Sequence, residues 1–291
     1  MANKHLAGRV CLITGSSRGI GLGIARVLAA NGAIVTLHGR DGAKLRQLLT
    51  SLRESPKHKY IAADLNTREG LEKLVETFFG LHGKLDVLVH SAGILGPKTA
   101  LAEYPEKDWN EVIRVNLTLP FLLTQALLPL LRKGDHPSVI FISSGVGRVG
   151  RAGWGAYAVS KFGVEGLTQV WADELQEENI RVNAVNPGGT RTQMRAAAFP
   201  EEDPKTLPTP EDISPVFVWL ARADTSINGT GRAWKPGTGS GKIQQCRQYY
   251  FSQRCQVLIY CARKRVSSVV HSPWSVATCY SHLANNNRYR T

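Results

Sequence analysis

Val10-Cys11-Leu12-Ile13-Thr14-Gly15-Ser16-Ser17-Arg18-Gly19-Ile20-Gly21 decides the fold of this chain. An apolar run of strand length enters a glycine-rich turn, and the spacing of Ile24, Val27 and Leu28 continues it as a helix. Strand, turn and helix in that order build a site for a pyrophosphate. Gly15 permits the tight turn, Gly19 lets backbone N–H groups approach phosphate, and Gly21 lets helix and strand pack closely, with the anion at the positive helix end. The spacing is Gly-x-x-x-Gly-x-Gly, not the commoner Gly-x-Gly-x-x-Gly. A glycine-rich turn alone is often only a loop; the flanking strand and helix give this one its meaning.

Outward from that segment, apolar runs of strand length stand at about 9–14, 33–38, 58–62, 85–89, 138–143 and 180–185, with helical patterns between them. This alternation predicts an α/β protein with a doubly wound, mostly parallel sheet flanked by helices. Helix starts are marked by Thr67 before Glu69, by Pro105 after Tyr104, and by Thr209-Pro210 before Glu211-Asp212. Asp41 reads as the N-cap of a helix beginning near Ala43.

The second informative segment is Ala156-Tyr157-Ala158-Val159-Ser160-Lys161. On a helix, the four-residue spacing puts a phenol and an ammonium on one face, and a neighbouring cation favours phenolate over phenol. Alone, such a pair is far more often a chance pair on a solvated helix face. Context changes the reading. Ser144 lies at the end of the apolar run Ser138 to Ser143, thirteen residues before Tyr157, and Gly145, Gly147, Gly150, Gly153 and Gly155 form the loop between them. A hydroxyl at the C-terminal end of a buried parallel strand sits where open α/β sheets bind ligands.

These residues resemble the classical short-chain dehydrogenase/reductase family over about residues 6–225. Thr14 to Gly21 is similar to its TGxxxGIG loop, and Ser144, Tyr157 and Lys161 match its catalytic Ser-Tyr-Lys in type and spacing. Asn116, in Val115-Asn116-Leu117, matches the asparagine that completes the tetrad. The stretch Gly188 to Arg195 resembles a bacterial branch whose substrates are unassigned. The resemblance implies a Rossmann-type fold and interconversion of a carbonyl and an alcohol by hydride transfer. It implies that Tyr157 exchanges a proton with substrate oxygen while Ser144 hydrogen-bonds that oxygen. Lys161 lowers the Tyr157 pKa and binds the nicotinamide ribose, and Asn116 holds a water linking Lys161 to solvent. It further implies that Gly15, Ser17, Arg18, Gly19, Ile20 and Gly21 hold the cofactor, with Asp64 at adenine, Ala92 and Gly93 at a close backbone approach, and Pro187, Gly188, Thr190 and Thr192 lining the nicotinamide. A homodimer or homotetramer built on the helices containing Asn116 and Tyr157 is expected.

Two departures stand out. His90-Ser91-Ala92-Gly93 replaces the usual Asn-Asn-Ala-Gly; His90 reads as a hydrogen-bonded structural residue with a catalytic base as the alternative. The usual C-terminal strand is missing after Thr230-Gly231.

Cofactor preference is read at the end of the second strand, Leu37-His38-Gly39-Arg40-Asp41. NAD sites place an acidic residue there for the ribose 2′-OH. Gly39 occupies the place, and Arg40 with Arg18 offers two cations to a 2′-phosphate, so NADP(H) is expected over NAD(H). Trp154 and the segment Met194 to Pro208 either line the substrate pocket or are ordinary packing.

A net charge of +13 looks at first like a nucleic-acid signature. Its distribution argues otherwise. Ten of the 36 Lys and Arg fall after Asp224, the last acidic residue, which leaves 26 basic against 23 acidic residues and a net +3 over residues 1–224. The chain therefore divides into a dinucleotide-binding and catalytic domain, 1–235, and a basic, irregular extension, 236–291. The extension shows no lasting helical or strand period, so it reads as an appendage rather than a nucleic-acid or membrane arm. Its four cysteines form no Cys-x-x-Cys pair, and no metal site is expected. Cys11 reads as a small buried hydrophobe. No signal-peptide core precedes the first strand and no run of 18 apolar residues exists, so a cytoplasmic address is expected. The reading from a different class is a catalytically weak dinucleotide-binding sensor or scaffold that uses the same loop without turnover.

Overall fold

Strands β1 (Val10–Thr14), β2 (Ile34–Gly39), β3 (Lys59–Ala62), β4 (Val87–His90), β5 (Ser138–Ile142), β6 (Arg181–Asn186) and β7 (Gly231–Ala233) form one sheet in the order β3-β2-β1-β4-β5-β6-β7. Every pairing is parallel. These are features of a computed structural model that describes residues 4–52, 57–229 and 231–233. The described residues fall within one unit, Met1–Pro236. The expectations made for 236–291 lie outside them.

Successive strand residues point to opposite sheet faces, and both faces are covered. Val10 and Leu12 of β1 join Leu88, Val139, Phe141 and Val182 in one core. That core packs against α3 (Arg68–Leu81), α5 (Leu119–Leu131) and α6 (Gly155–Glu174) through Leu74, Phe78, Leu123, Leu127, Val164 and Trp171. Cys11 and Ile13 face the other way, with Val35, Leu37, Val89 and Ile140. Their partners are Ile24 and Leu28 of α1 (Gly19–Ala30), Leu45 of α2 (Gly42–Thr50), and Phe217 and Leu220 of a later helix. Cys11 is fully buried, and burial pushes its thiol up to about 12, which makes it a packing residue.

Side-chain caps open α2 and α3. Asp41 accepts from the Lys44 N–H at 3.0 Å and Thr67 from the Gly70 N–H at 3.0 Å. Pro105 precedes α4 (Glu106–Ile113), which passes through a π turn at Arg114–Thr118 into α5. The joined helix Glu106–Leu131 is long and apolar enough to cross a membrane by composition. Its Val112, Leu119, Leu123, Leu127 and Leu130 are buried in the domain instead.

Two expectations change. The Thr209-Pro210 signal closes a turn rather than a helix: Thr209 and Asp212 exchange hydrogen bonds at 2.7–3.2 Å. After α7 (Gln193–Ala198), the next α-helix is α8 (Pro215–Ala221). The final strand is present in shortened form, because Gly231 to Ala233 pair with Ala184 to Asn186 of β6.

Candidate active site

The strand order reverses direction between β1 and β4, and at such a point the loops leaving the two strands diverge and open a crevice. The Gly15–Gly21 loop leaves β1 at this crevice. Gly15 has φ +64, and a Cβ there would stand 2.6 Å from the Ala92 Cα, so only glycine lets the two loops meet. A Cβ at Gly21 would stand 2.6 Å from the Gly15 carbonyl oxygen. The loop is pinned from below by Thr14, whose Oγ1 accepts from the Ser91 and Ala92 N–H groups at 3.1 Å each.

His38 fixes the same loop from β2. Its Nδ1 accepts from the Gly15 N–H at 3.3 Å, and its Nε2 lies 3.1 Å from the Ala63 carbonyl, which assigns the proton to Nε2. Burial lowers its pKa to about 4, so the ring is neutral. The Ser16 hydroxyl bridges the backbone of the same residue.

Among the expected cofactor residues, Ser17 lies beside Gly39: a Cβ on Gly39 would meet the Ser17 Cβ at 3.2 Å. Gly19 opens α1 with φ +54 and lies close to Thr192, and Ile20 follows it on the helix. Arg18 and Arg40 are both exposed, and the structure does not join them. Arg18 donates to Gln193 on α7 at 3.0 Å, while Arg40 stands at the end of β2. Asp64 is exposed and accepts from the Asn66 N–H at 3.0 Å, closing its own turn. Leu65, Ala92, Val115 and His90 line a small recess nearby. Gly93 approaches the Asn116 amide, with 3.3 Å left for a Cβ. Past β6, Asn186 accepts from the Gly188 N–H at 3.0 Å, Thr190 is buried against the Pro187 carbonyl, and Thr192 caps α7 by accepting from the Arg195 N–H.

Ser144, Tyr157 and Lys161 come together where β5 ends against α6. The Ser144 hydroxyl faces the Tyr157 phenol, and Lys161 Nζ donates to the Ile142 carbonyl at 2.7 Å, 5.5 Å from the Tyr157 ring centroid. Burial raises the Tyr157 pKa and the Ser144 hydrogen bond opposes this, while burial lowers Lys161 to about 8. Lys161 spends a hydrogen bond on a backbone carbonyl rather than on the phenol.

Asn116, 2% exposed, lies on the π turn. Its Oδ1 accepts from the Ile94 N–H and its Nδ2 donates to the Ile94 carbonyl, both at 2.9 Å, with a further 3.1 Å bond to the Ser160 hydroxyl. Ser160 in turn donates to the Tyr157 carbonyl at 2.7 Å. The asparagine side chain therefore clamps the loop after β4 to α6. His90 takes the structural role: it stacks on Phe141 and bonds Thr124 Oγ1 at 2.8 Å. Thr124 gives its own proton to the Pro120 carbonyl, so His90 is the donor, and burial lowers it to about 3.

Sequence reading named Trp154 and the Met194 to Pro208 segment but missed Lys98, which joins them. Lys98 Nζ donates to the Ala198 carbonyl at 2.7 Å and lies 4.9 Å and 4.7 Å from the Trp154 and Phe199 ring centroids. Trp154 is itself 5.8 Å from the Tyr157 ring. The tie between residues 98 and 198 has no signature in local spacing.

A family model described as short chain dehydrogenase matches residues 9–203. The chain is 46% identical over 245 residues to the uncharacterized oxidoreductase YciK of Escherichia coli (strain K12), covering 82% of this chain and 96% of that one. It is 36% identical over 232 residues to the 3-oxoacyl-acyl-carrier-protein reductase FabG of Thermotoga maritima, covering 76% and 94%. A short chain dehydrogenase from Shigella flexneri 2a str. 301, crystallised in complex with NADP, is similar with a TM-score of 0.76 at 44% identity, covering 79% of this chain and 98% of that one. The chain belongs to the short-chain dehydrogenase family, and its chemistry is oxidoreduction.

Proposed function

We propose that this protein is an NADP(H)-dependent oxidoreductase that interconverts a carbonyl and an alcohol, with Tyr157 as general acid and base. The observation that carries the reading is the convergence of Ser144 at the end of β5 with Tyr157 and Lys161 of α6, where Lys161 Nζ lies 5.5 Å from the Tyr157 ring centroid. Two hydroxyls held together there present one proton donor and one further hydrogen-bonding group to a single substrate oxygen.

The cradle fits a dinucleotide, since side chains at Gly15 and Gly21 would collide with backbone in the space the turn occupies. Residues Gly15 to Gly21 would hold the pyrophosphate at the N-terminus of α1, with Asp64, Ala92 and Gly93 on the adenosine side and Pro187 to Thr192 on the nicotinamide side. A bound NADP(H) supplies the hydride. Gly39 leaves no carboxylate at the end of β2, and Arg40 with Arg18 favours a 2′-phosphate. NADP in the Shigella flexneri relative supports that preference.

In reduction, Tyr157 gives its phenolic proton to the substrate oxygen while Ser144 bonds that oxygen. Lys161, poised near the crevice floor, reorients from Ile142 toward the cofactor ribose and favours the phenolate that remains. Asn116 positions α6 through Ser160, so the proposed water path from Lys161 to solvent runs past a fixed helix. Phe121, Val159, Phe162 and Val170 are exposed apolar residues on α5 and α6, which supports a homo-oligomer built on these helices. Equilibrium titration with NADPH and NADH tests the cofactor reading: tighter NADPH binding is expected, and tighter NADH binding overturns it.

A further inference from the structure

Three consecutive residues at the end of β5 each hold one residue of a single stripe on α6. Ser144 faces Tyr157, the Ile142 carbonyl accepts from Lys161, and Ser143 Oγ donates to Glu165 Oε1. Tyr157, Lys161 and Glu165 are four residues apart in turn, so they share a helix face. Only the first two have a place in the proton transfer described above.

Glu165 is tied more widely than a surface helix residue. Its side chain is 12% exposed, and the same Oε1 accepts from Arg148 Nε at 3.1 Å. Arg148 belongs to the loop that follows Ser144. In that loop, a Cβ on Gly147 would meet the Lys161 carbonyl carbon at 2.8 Å, so loop and helix are already in closest contact. One carboxylate oxygen thus joins the strand end, the glycine loop and the catalytic helix.

A glutamine could accept the same two hydrogen bonds. What the carboxylate alone adds is a negative charge one helical turn beyond Lys161. Pairing with Arg148 offsets the cost of covering that charge, and its action on Lys161 is the part a glutamine would lose.

We propose that Glu165 is a positioning residue for the Tyr157 proton donor: through Ser143 and Arg148 it sets the end of β5 against α6, and its charge keeps Lys161 an ammonium. The inference rests on the reading of Tyr157 as general acid. Burial of Lys161 favours the neutral amine, and Glu165 opposes it. The charged and titratable groups beside this pair are Arg148 from the loop and Tyr157 on the same helix, with the neutral Ser143 from the strand end.

The test uses the full chain with Glu165→Gln, which keeps both hydrogen-bond acceptances and removes the charge. The alkaline limb of kcat for NADPH-dependent carbonyl reduction should move to lower pH by about one unit, which at about pH 8 is up to a tenfold loss. KM and NADPH affinity should stay near the parent values. Ser143→Ala should instead lower kcat without moving the limb, and Glu165→Asp should restore the limb if the glutamine variant folds poorly. A second readout needs no turnover: the 13Cε titration of Lys161, assigned with Lys161→Met, should have a lower midpoint in Glu165→Gln. A parent-like limb and a parent-like Lys161 midpoint, with only a lower melting temperature, would make Glu165 a structural residue and overturn the proposal. Should Tyr157→Phe turn over as fast as the parent, the general-acid reading and the positioning role fall together, while the Lys161 midpoint still decides whether the charge acts on the ammonium.

Discussion

Acidification should unfold this domain through two histidines that the fold buries neutral, and the size of the effect follows from their environments. His38 is lowered to about 4 and His90 to about 3, both chiefly by burial, against an ordinary 6.5. A lowered folded-state pKa means that the unfolded chain binds the proton first. The stabilising contribution is therefore full above 6.5 and is lost as pH falls toward the folded values. Each histidine costs about 1.4 kcal/mol per pH unit in that window, or about 2 kcal/mol at about pH 5 relative to neutral. Together they approach about 4 kcal/mol, a large part of the roughly 5–15 kcal/mol that holds a domain together. In the folded protein the His38 Nδ1 acceptor is lost to the Gly15 N–H only as pH falls through about 4, so NADPH affinity should fall there and not near pH 6. Urea unfolding at a series of pH values measures the first effect. His90→Asn, a neutral residue of similar polarity, should flatten the slope by about one proton. An unfolding free energy that stays level from pH 7.5 to 5, or an unchanged slope in His90→Asn, refutes the reasoning.

Arg40→Ala should weaken NADPH binding by about 1–3 kcal/mol while leaving NADH binding nearly unchanged, as read by fluorescence titration. Gly147→Ala forces a methyl to within 2.8 Å of the Lys161 backbone. It should cost about 1–3 kcal/mol of stability and lower kcat, measured by urea unfolding and initial rates. Lys98→Met removes the bond to the Ala198 carbonyl and the cation between Trp154 and Phe199. It should raise the substrate KM by about threefold to thirtyfold with little change in NADPH affinity, since the cluster borders Tyr157 and not the phosphate loop. An unchanged KM would remove Lys98 from the substrate side of the crevice.

Much of the fold was legible because parallel strands buried on both faces read as apolar runs, as in Val10 to Ile13 and Val139 to Phe141. The glycine cradle and the Ser144, Tyr157 and Lys161 set were legible because fixed offsets carry them. What escaped depends on distant partners. Gly231 to Ala233 has no pattern of its own and becomes a strand by pairing with β6. Thr209 and Asp212 carry a capping signal, yet their mutual bonds close a turn before Pro215. Glu165 reads as an ordinary solvated helix residue until Ser143 and Arg148 converge on it; its place four residues past Lys161 was the available sign. His38 looks like one more strand residue, and only the approach of Gly15 gives its ring a task.

NADPH oxidation with a panel of ketones, aldehydes and quinones, run on the parent and on Tyr157→Phe beside a cofactor titration of each, tests the central claim most directly. The account predicts turnover of at least one carbonyl by the parent. It predicts a loss of about 10²–10⁴-fold in Tyr157→Phe, with NADPH affinity nearly unchanged. Equal turnover in the two proteins, or tight NADPH binding by a parent that reduces no carbonyl, would contradict it.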